Sequence, residues 1–416
     1  MWSIPYIALW IFVFSLPWQG VIRIGGVAVV GRLTGAVALI CALLAVVISG
    51  RFRKWQPFHV LGLLFVLWAG FGVFYHGMPQ VPNKFWTFVQ LFSATWIIWE
   101  LAPSTRRMRG LLTAYLLGAY VSALNTVLLL RTGAAMRRFA AGGVDPNDLA
   151  MSMALALPTA WYLGITTQRP LFRWIARGYL PIGLLAVILT GSRGAMVTAL
   201  VGLLIIPLTM TKLSPGKAAA AIALLAVAGG LAVKYVPENI VARLETTGSE
   251  VEDASLGGRF KLWVAGVHAF EKRPFVGYGT SGFIPAIKPA LGPMAQVAHN
   301  SYLSVLVEHG MIGLALFVTM IGTVFLSARR LPLLERRFGY VLLLTMCTAM
   351  MPLTWEDVKA VWVTMALVMG MAYAADLLAG MAPELRRPLR ATPPIRPHLA
   401  PRPQEAARNI NRNPAV

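Results

Sequence analysis

The chain has 416 residues, of which 57% are hydrophobic and 13% charged, and its mean hydropathy is +0.67. That balance excludes a soluble globular domain of ordinary composition and marks a polytopic membrane protein. The formal charge of +21 does not read as a nucleic-acid footprint, because most cations border apolar runs or fall in the C-terminal tail, and Cys41 and Cys347, both inside apolar runs, exclude a disulfide framework.

Apolar runs close to the roughly 20 residues that cross a bilayer recur along the chain. They lie near 4–22, 32–50, 57–75, 84–102, 111–130, 149–166, 179–191, 195–212, 218–236, 300–327, 341–355 and 358–379. They predict an all-α bundle of about twelve transmembrane helices. The first run lacks a basic stretch before it and a small-residue cleavage site after it, so it reads as a retained helix. Lys and Arg concentrate in alternate loops: Arg51 to Lys54, Arg106 to Arg109, Arg169 to Arg177, Lys212 to Lys217 and Arg329 to Arg337. The positive-inside rule puts that set, and both termini, in the cytoplasm. Residues 1–236 then hold the first nine helices, 237–298 form one long external loop, and 299–380 hold the last three. The tail from about residue 381 is rich in Pro and Arg and is expected to be disordered and cytoplasmic. No internal repeat of fixed period stands out, which weakens a transporter built from inverted repeats.

Four stretches could carry chemistry. In "GGVDPNDLA", Asp145, Pro146 and Asp148 fit an N-cap, a proline at the first helical position and an acid in the first turn. Arg137 and Arg138, just before it on the external side, break the charge rule; they read either as ordinary loop cations or as help for an anionic substrate. In "TGSRGA", Arg193 lies between two apolar runs at the external side. It either snorkels to the interface or, flanked by Gly191, Ser192 and Gly194, lets an anion and backbone N–H groups approach its guanidinium.

Inside the long loop, "GGRFKLWVAGVHAFEKRP" sets Phe260, Trp263, Val264, Val267 and Phe270 at helical spacing and predicts an amphipathic helix along the membrane surface, closed by Pro274. Arg259 would stand at its N-terminus, where helix dipole and guanidinium favour phosphate, or else it is a solvated interfacial cation. "GYGTSG" at 277–282 matches a dinucleotide fingerprint, but no βαβ unit surrounds it. In "HNSYLSVLVEHGMIGL", His299 starts an apolar run where an imidazole can accept a proton near neutral pH. Asn300 either fixes the ring or caps the helix. Ser301, Ser304 and Glu308 share a stripe that must face the bundle interior, with Glu308 as partner to an arginine, a helix clamp or a catalytic group.

Taken together, "DPNDLA", "TGSRGA", "GGRFKLWVAGVHAFEKRPFVGYG" and "HNSYLSVLVEHGMIGL" resemble, in that order, the bacterial O-antigen ligase family over about residues 145–317. The superfamily also includes O-antigen and exopolysaccharide polymerases and protein O-oligosaccharyltransferases. The resemblance implies a bacterial inner-membrane glycosyltransferase of the C-type architecture, with a periplasmic active site; the few carboxylates form no ligand cluster for a divalent cation, so no metal or other cofactor is expected. It implies glycan transfer from undecaprenyl diphosphate to a sugar hydroxyl of lipid A-core, completing lipopolysaccharide. Carried over by position, Arg193 and Arg259 would hold the donor diphosphate and His299 would activate the acceptor; by their placement alone, Asn300, Glu308, Arg137 and Arg138 are supporting candidates. A polymerase is the alternative within the class, and a lipid-linked glycan transporter the alternative outside it.

Overall fold

The computed structural model describes residues 3–24, 27–75, 83–129, 139–140, 144–210 and 258–385. Residues up to Asp376 form one compact unit; a second begins at Leu377, and its described part is the end of a helix. The described chain is mostly helical. In order, the helices are α1 (Ile4–Ser15), α2 (Val30–Ser49), α3 (Pro57–Tyr75), α4 (Asn83–Leu101), α5 (Thr105–Leu128), α6 (Pro146–Thr166), α7 (Pro170–Leu189), α8 (Arg193–Leu203), α9 (Ile205–Thr209), α10 (Arg259–Lys272), α11 (Phe283–Leu291), α12 (Ser301–Ala328), α13 (Leu333–Ala349) and α14 (Lys359–Leu385). A two-residue antiparallel pair, Arg23↔Ala28 and Ile24↔Val27, is the described exception to the all-α reading.

Seven of the described helices, α2, α3, α5, α6, α7, α12 and α14, are long and apolar enough to cross a membrane. The apolar runs expected near 84–102 and 341–355 fold as α4 and α13, and that near 195–212 as the pair α8 and α9. The run at 218–236 and the first part of the long loop, 237–257, lie outside the described residues. The centre of the bundle is α6, with 78% of its apolar window buried against 17% for α2, and it packs on α5, α7, α8 and α13. Small residues allow this approach: Ala150, Ala154, Ala156 and Ala160 of α6 are all fully enclosed.

A helix of 21 residues such as α6 is about 30 Å long, so its two ends belong to different environments. The end near Thr166 carries the described basic segments, that from Lys212 to Lys217 lying outside the described residues. There Arg53 stacks 4.0 Å over Trp99, Arg109 pairs with Glu335 at 3.1 Å, and Arg330 pairs with Asp376 at 3.1 Å. The end near Asp145 also gathers the starts of α4, α8, α12 and α14. Its polar groups are bonded across the bundle: the Ser192 hydroxyl donates to Asn147 at 2.9 Å, and the Trp355 indole N–H donates to Asp148 at 2.8 Å.

The long loop contributes a small apolar cluster of its own. In α10 the enclosed face is Leu262, Ala265, Gly266 and Ala269, packed toward Phe283 of α11 and Leu303 of α12. The predicted stripe therefore divides. Trp263 and Phe270 pack at the edge of this cluster, while Phe260, Val264 and Val267 are exposed on the other side. Helical spacing alone could not rank two apolar faces, and the smaller residues won the close contact. Gly258 caps the start with a positive φ of 83°, and Pro274 follows the end.

Candidate active site

Where these helix ends converge they enclose a cavity of 390 Å³. Its wall is polar for a membrane bundle: Lys84 of α4, Asp145, Asn147 and Asp148 at the head of α6, Ser281 of the loop before α11, His299 just before α12, Ser304 and Glu308 of α12, and Thr354 and Asp357 of the segment before α14. Among the described residues only Ser281 (φ 65°) and His299 (φ 47°) hold a positive φ without being glycine, and both line this cavity. Each such conformation costs on the order of 1–3 kcal/mol and persists only where neighbours enforce it.

For His299 the enforcing contacts are visible on both sides. Its own N–H donates to the Thr354 hydroxyl at 3.0 Å, and the preceding Ala298 carbonyl accepts from the Trp263 indole at 2.9 Å. On the far side Asn300 caps α12, its Oδ1 accepting from the Leu303 N–H at 3.1 Å, which decides between the two roles open to it. Burial lowers the imidazole pKa below its usual value; nearby Arg259 lowers it further and Asp145 opposes both. The ring is therefore held neutral near pH 7, the form that accepts a proton.

Below His299 the expected polar stripe does face inward, with Ser301, Ser304 and Glu308 all buried. The partner of Glu308 is a lysine, not an arginine. Lys84 Nζ stands 2.9 Å from Glu308 Oε2 and 2.7 Å from Glu356 Oε1, and the Ser304 hydroxyl donates to the same Glu356 oxygen at 2.6 Å. Lys84, Glu356 and Asp357 escaped the sequence reading. Their signal was the one that exposed Glu308, a charge inside or between apolar runs, but 224 residues separate Lys84 from Glu308. Asp357, on the segment between α13 and α14, has its carboxyl pushed up to about 7, mainly by burial.

The glycine-rich stretch at 277–282 belongs to this site as architecture. Gly310, with φ 65°, breaks α12, and the preceding loop fills the break. Tyr278 and Gly279 donate to the carbonyls of Val307 and Glu308 at 3.0 and 2.7 Å, while the Met311 N–H donates to the Pro274 carbonyl at 2.8 Å. A Cβ on Gly277 would lie 2.6 Å from the Glu308 backbone, and one on Gly310 would lie 2.1 Å from the Phe275 carbonyl oxygen. The loop then turns so that the Ser281 N–H donates to Glu308 Oε2 at 3.1 Å.

The two arginines sit differently. Arg259 is the half-buried first residue of α10, within electrostatic reach of His299. Arg193 is the half-buried first residue of α8 and lies one residue beyond Ser192, whose hydroxyl bonds Asn147 in the cavity wall. Asp145 caps α6, its Oδ1 accepting from Asn147 and Asp148 at 2.7 and 3.4 Å. Arg137 and Arg138 lie outside the described residues. Among the described residues no group of three or more His, Cys, Asp or Glu side chains is arranged to hold a metal ion.

No curated protein matches the chain. Residues 179–318 match the family described as O-antigen ligase, a stretch that includes Arg193, Arg259, His299, Asn300 and Glu308 and leaves out Lys84 and Asp145. The chain is thus a helical bundle with seven membrane-length apolar helices, similar over residues 179–318 to the O-antigen ligase family, and that stretch supplies Ser281, His299, Ser304 and Glu308 to the cavity wall.

Proposed function

We propose that the chain is an O-antigen ligase of the bacterial inner membrane that moves a glycan from undecaprenyl diphosphate to a sugar hydroxyl of lipid A-core, with about twelve spans, both termini in the cytoplasm and the cavity facing the periplasm. The observation that carries this reading is the strained, neutral-poised His299, a residue of the family-matched stretch, on the wall of the cavity with Arg259 in electrostatic reach. His299 takes the proton of the acceptor hydroxyl as that oxygen attacks the anomeric carbon; the bond from that carbon to the diphosphate breaks, and the configuration inverts. Arg193 and Arg259 hold the diphosphate and stabilise the charge it gains on leaving.

The orientation is supported by the separation of basic segments from the cavity end of the bundle. Exposed Phe260, Val264 and Val267 on α10 support contact with the outer membrane interface beside the cavity, which would let two lipid-anchored substrates meet without leaving the bilayer. The Lys84 ammonium already engages both Glu308 and Glu356 beneath the cavity, so those carboxylates are committed to the protein, which supports a reaction that needs no divalent cation.

Polymerases share the donor, so the test offers both acceptors. Purified protein in liposomes, given polyprenyl-diphosphate glycan and lipid A-core in the presence of EDTA, is expected to attach glycan to the lipid. Extension on polyprenyl diphosphate alone, with lipid A-core unmodified, would replace the ligase by a polymerase. Transfer lost in EDTA and restored by Mg²⁺ would show a metal requirement.

A further inference from the structure

We propose that Lys84 is a positioning residue for His299, acting through the segment Leu353–Asp357; this rests on the glycosyl-transfer reading of the cavity. Lys84 lines the cavity, so its plainest role would be to bind an anionic substrate. Its hydrogen bonds argue otherwise. An ammonium has three donors, and this one meets Glu308 at 2.9 Å, Glu356 at 2.7 Å and the Ser304 hydroxyl at 3.4 Å, leaving no donor for a phosphate. The Lys84 side chain is 12% exposed and its two carboxylate partners are 4% or less, so the charge is committed to the protein.

Each partner leads to one of the two strained residues in the wall. Glu308 accepts the Ser281 N–H with the same oxygen that takes Lys84. Glu356 belongs to a strap laid across the first turn of α12. Along that strap the Ser301 hydroxyl donates to the Leu353 carbonyl at 2.8 Å and accepts the Trp355 N–H at 2.7 Å, while Thr354 accepts the His299 N–H at 3.0 Å. Lys84 pins the strap two residues beyond Thr354. Removing the ammonium leaves Glu308 and Glu356 as uncompensated buried charges, and the strap, Thr354 and the His299 backbone are the parts free to relax. A displacement near 1 Å at a catalytic group is enough to cost about 10²-fold in turnover.

The experiment uses full-length protein in liposomes and measures donor Kd separately from kcat. Two variants are compared with wild type: Lys84→Met, and the isosteric Glu356→Gln, which keeps the packing if Lys84→Met does not fold. Expected is a fall in kcat, roughly 10²-fold for Lys84→Met and smaller for Glu356→Gln, with donor Kd unchanged within about threefold; unchanged donor binding also shows that the cavity is folded. A donor Kd weakened as much as kcat falls would make Lys84 a substrate ligand and overturn the proposal. Unchanged kcat in Glu356→Gln overturns it as well. Wild-type protein that transfers no glycan brings down the reading of the cavity itself, an outcome separable from the other two.

Discussion

At the residue scale the proposed transfer turns on His299. His299→Ala is expected to lower glycan transfer by roughly 10²-fold or more at unchanged protein level, because it removes the proton acceptor and leaves the arginines in place. Normal lipopolysaccharide in cells carrying only that variant would remove His299 from the chemistry. The pH dependence has a definite sign. Burial and Arg259 both lower the imidazole pKa, so the base stays competent below the usual histidine value, and activity falls only as pH drops through the lowered one. Arg259→Gln removes one of those two causes, so the pH at which the His299 ring of the free protein loses reactivity toward diethyl pyrocarbonate should move upward. A second expectation concerns the arginines: Arg193→Lys and Arg259→Lys should each impair turnover, since a point charge cannot replace the planar fork against a diphosphate. Wild-type kinetics in both would leave only charge as their contribution. His299 and Glu308 were legible because a polar residue in an apolar run has few bland explanations. Lys84 carries the same signal, but its meaning depends on carboxylates that only folding brings to it.

At the element scale the break in α12 is what shapes the cavity floor. Gly310 allows the helix to open, the 274–279 backbone satisfies the freed carbonyls, and the same loop delivers Ser281 to Glu308. Gly310→Ala is therefore expected to fail twice. It forces a side-chain residue into a positive φ, at a cost of order 1 kcal/mol or more, and it drives a Cβ into the Phe275 carbonyl. A thermal melt of the purified variant should show a clear loss of stability; a wild-type melting temperature with full transfer would mean that the break has no part in holding the site. The sequence announced this loop only as a glycine pattern resembling a nucleotide fingerprint. That fingerprint needs a strand directly before it, where the described residues Arg259–Lys272 form a helix instead, but nothing local says that the turn plugs a helix break, with Tyr278 and Gly279 bonding Val307 and Glu308. The α10 helix shows the opposite limit: its position followed from spacing, and which apolar face it would enclose did not, since a membrane protein has two apolar surroundings to choose from.

At the scale of the whole molecule, hydropathy located nearly every described helix, because a bilayer requires long apolar segments with internally satisfied backbones. What it could not give was how the ends assemble, and the cavity is made of ends: α4, α6, α12 and the segment before α14 come from widely separated parts of the chain. The division of charge between the two ends gives the assembly a direction, with basic segments at one and the cavity with His299 at the other. The most direct test of that arrangement is a structure of the protein with an undecaprenyl-diphosphate donor bound. The expected structure has the diphosphate between the guanidiniums of Arg193 and Arg259, with the anomeric carbon facing the cavity and the His299 ring within hydrogen-bonding reach of the acceptor position. A diphosphate bound at the opposite, basic end, or one far from both arginines, would contradict it.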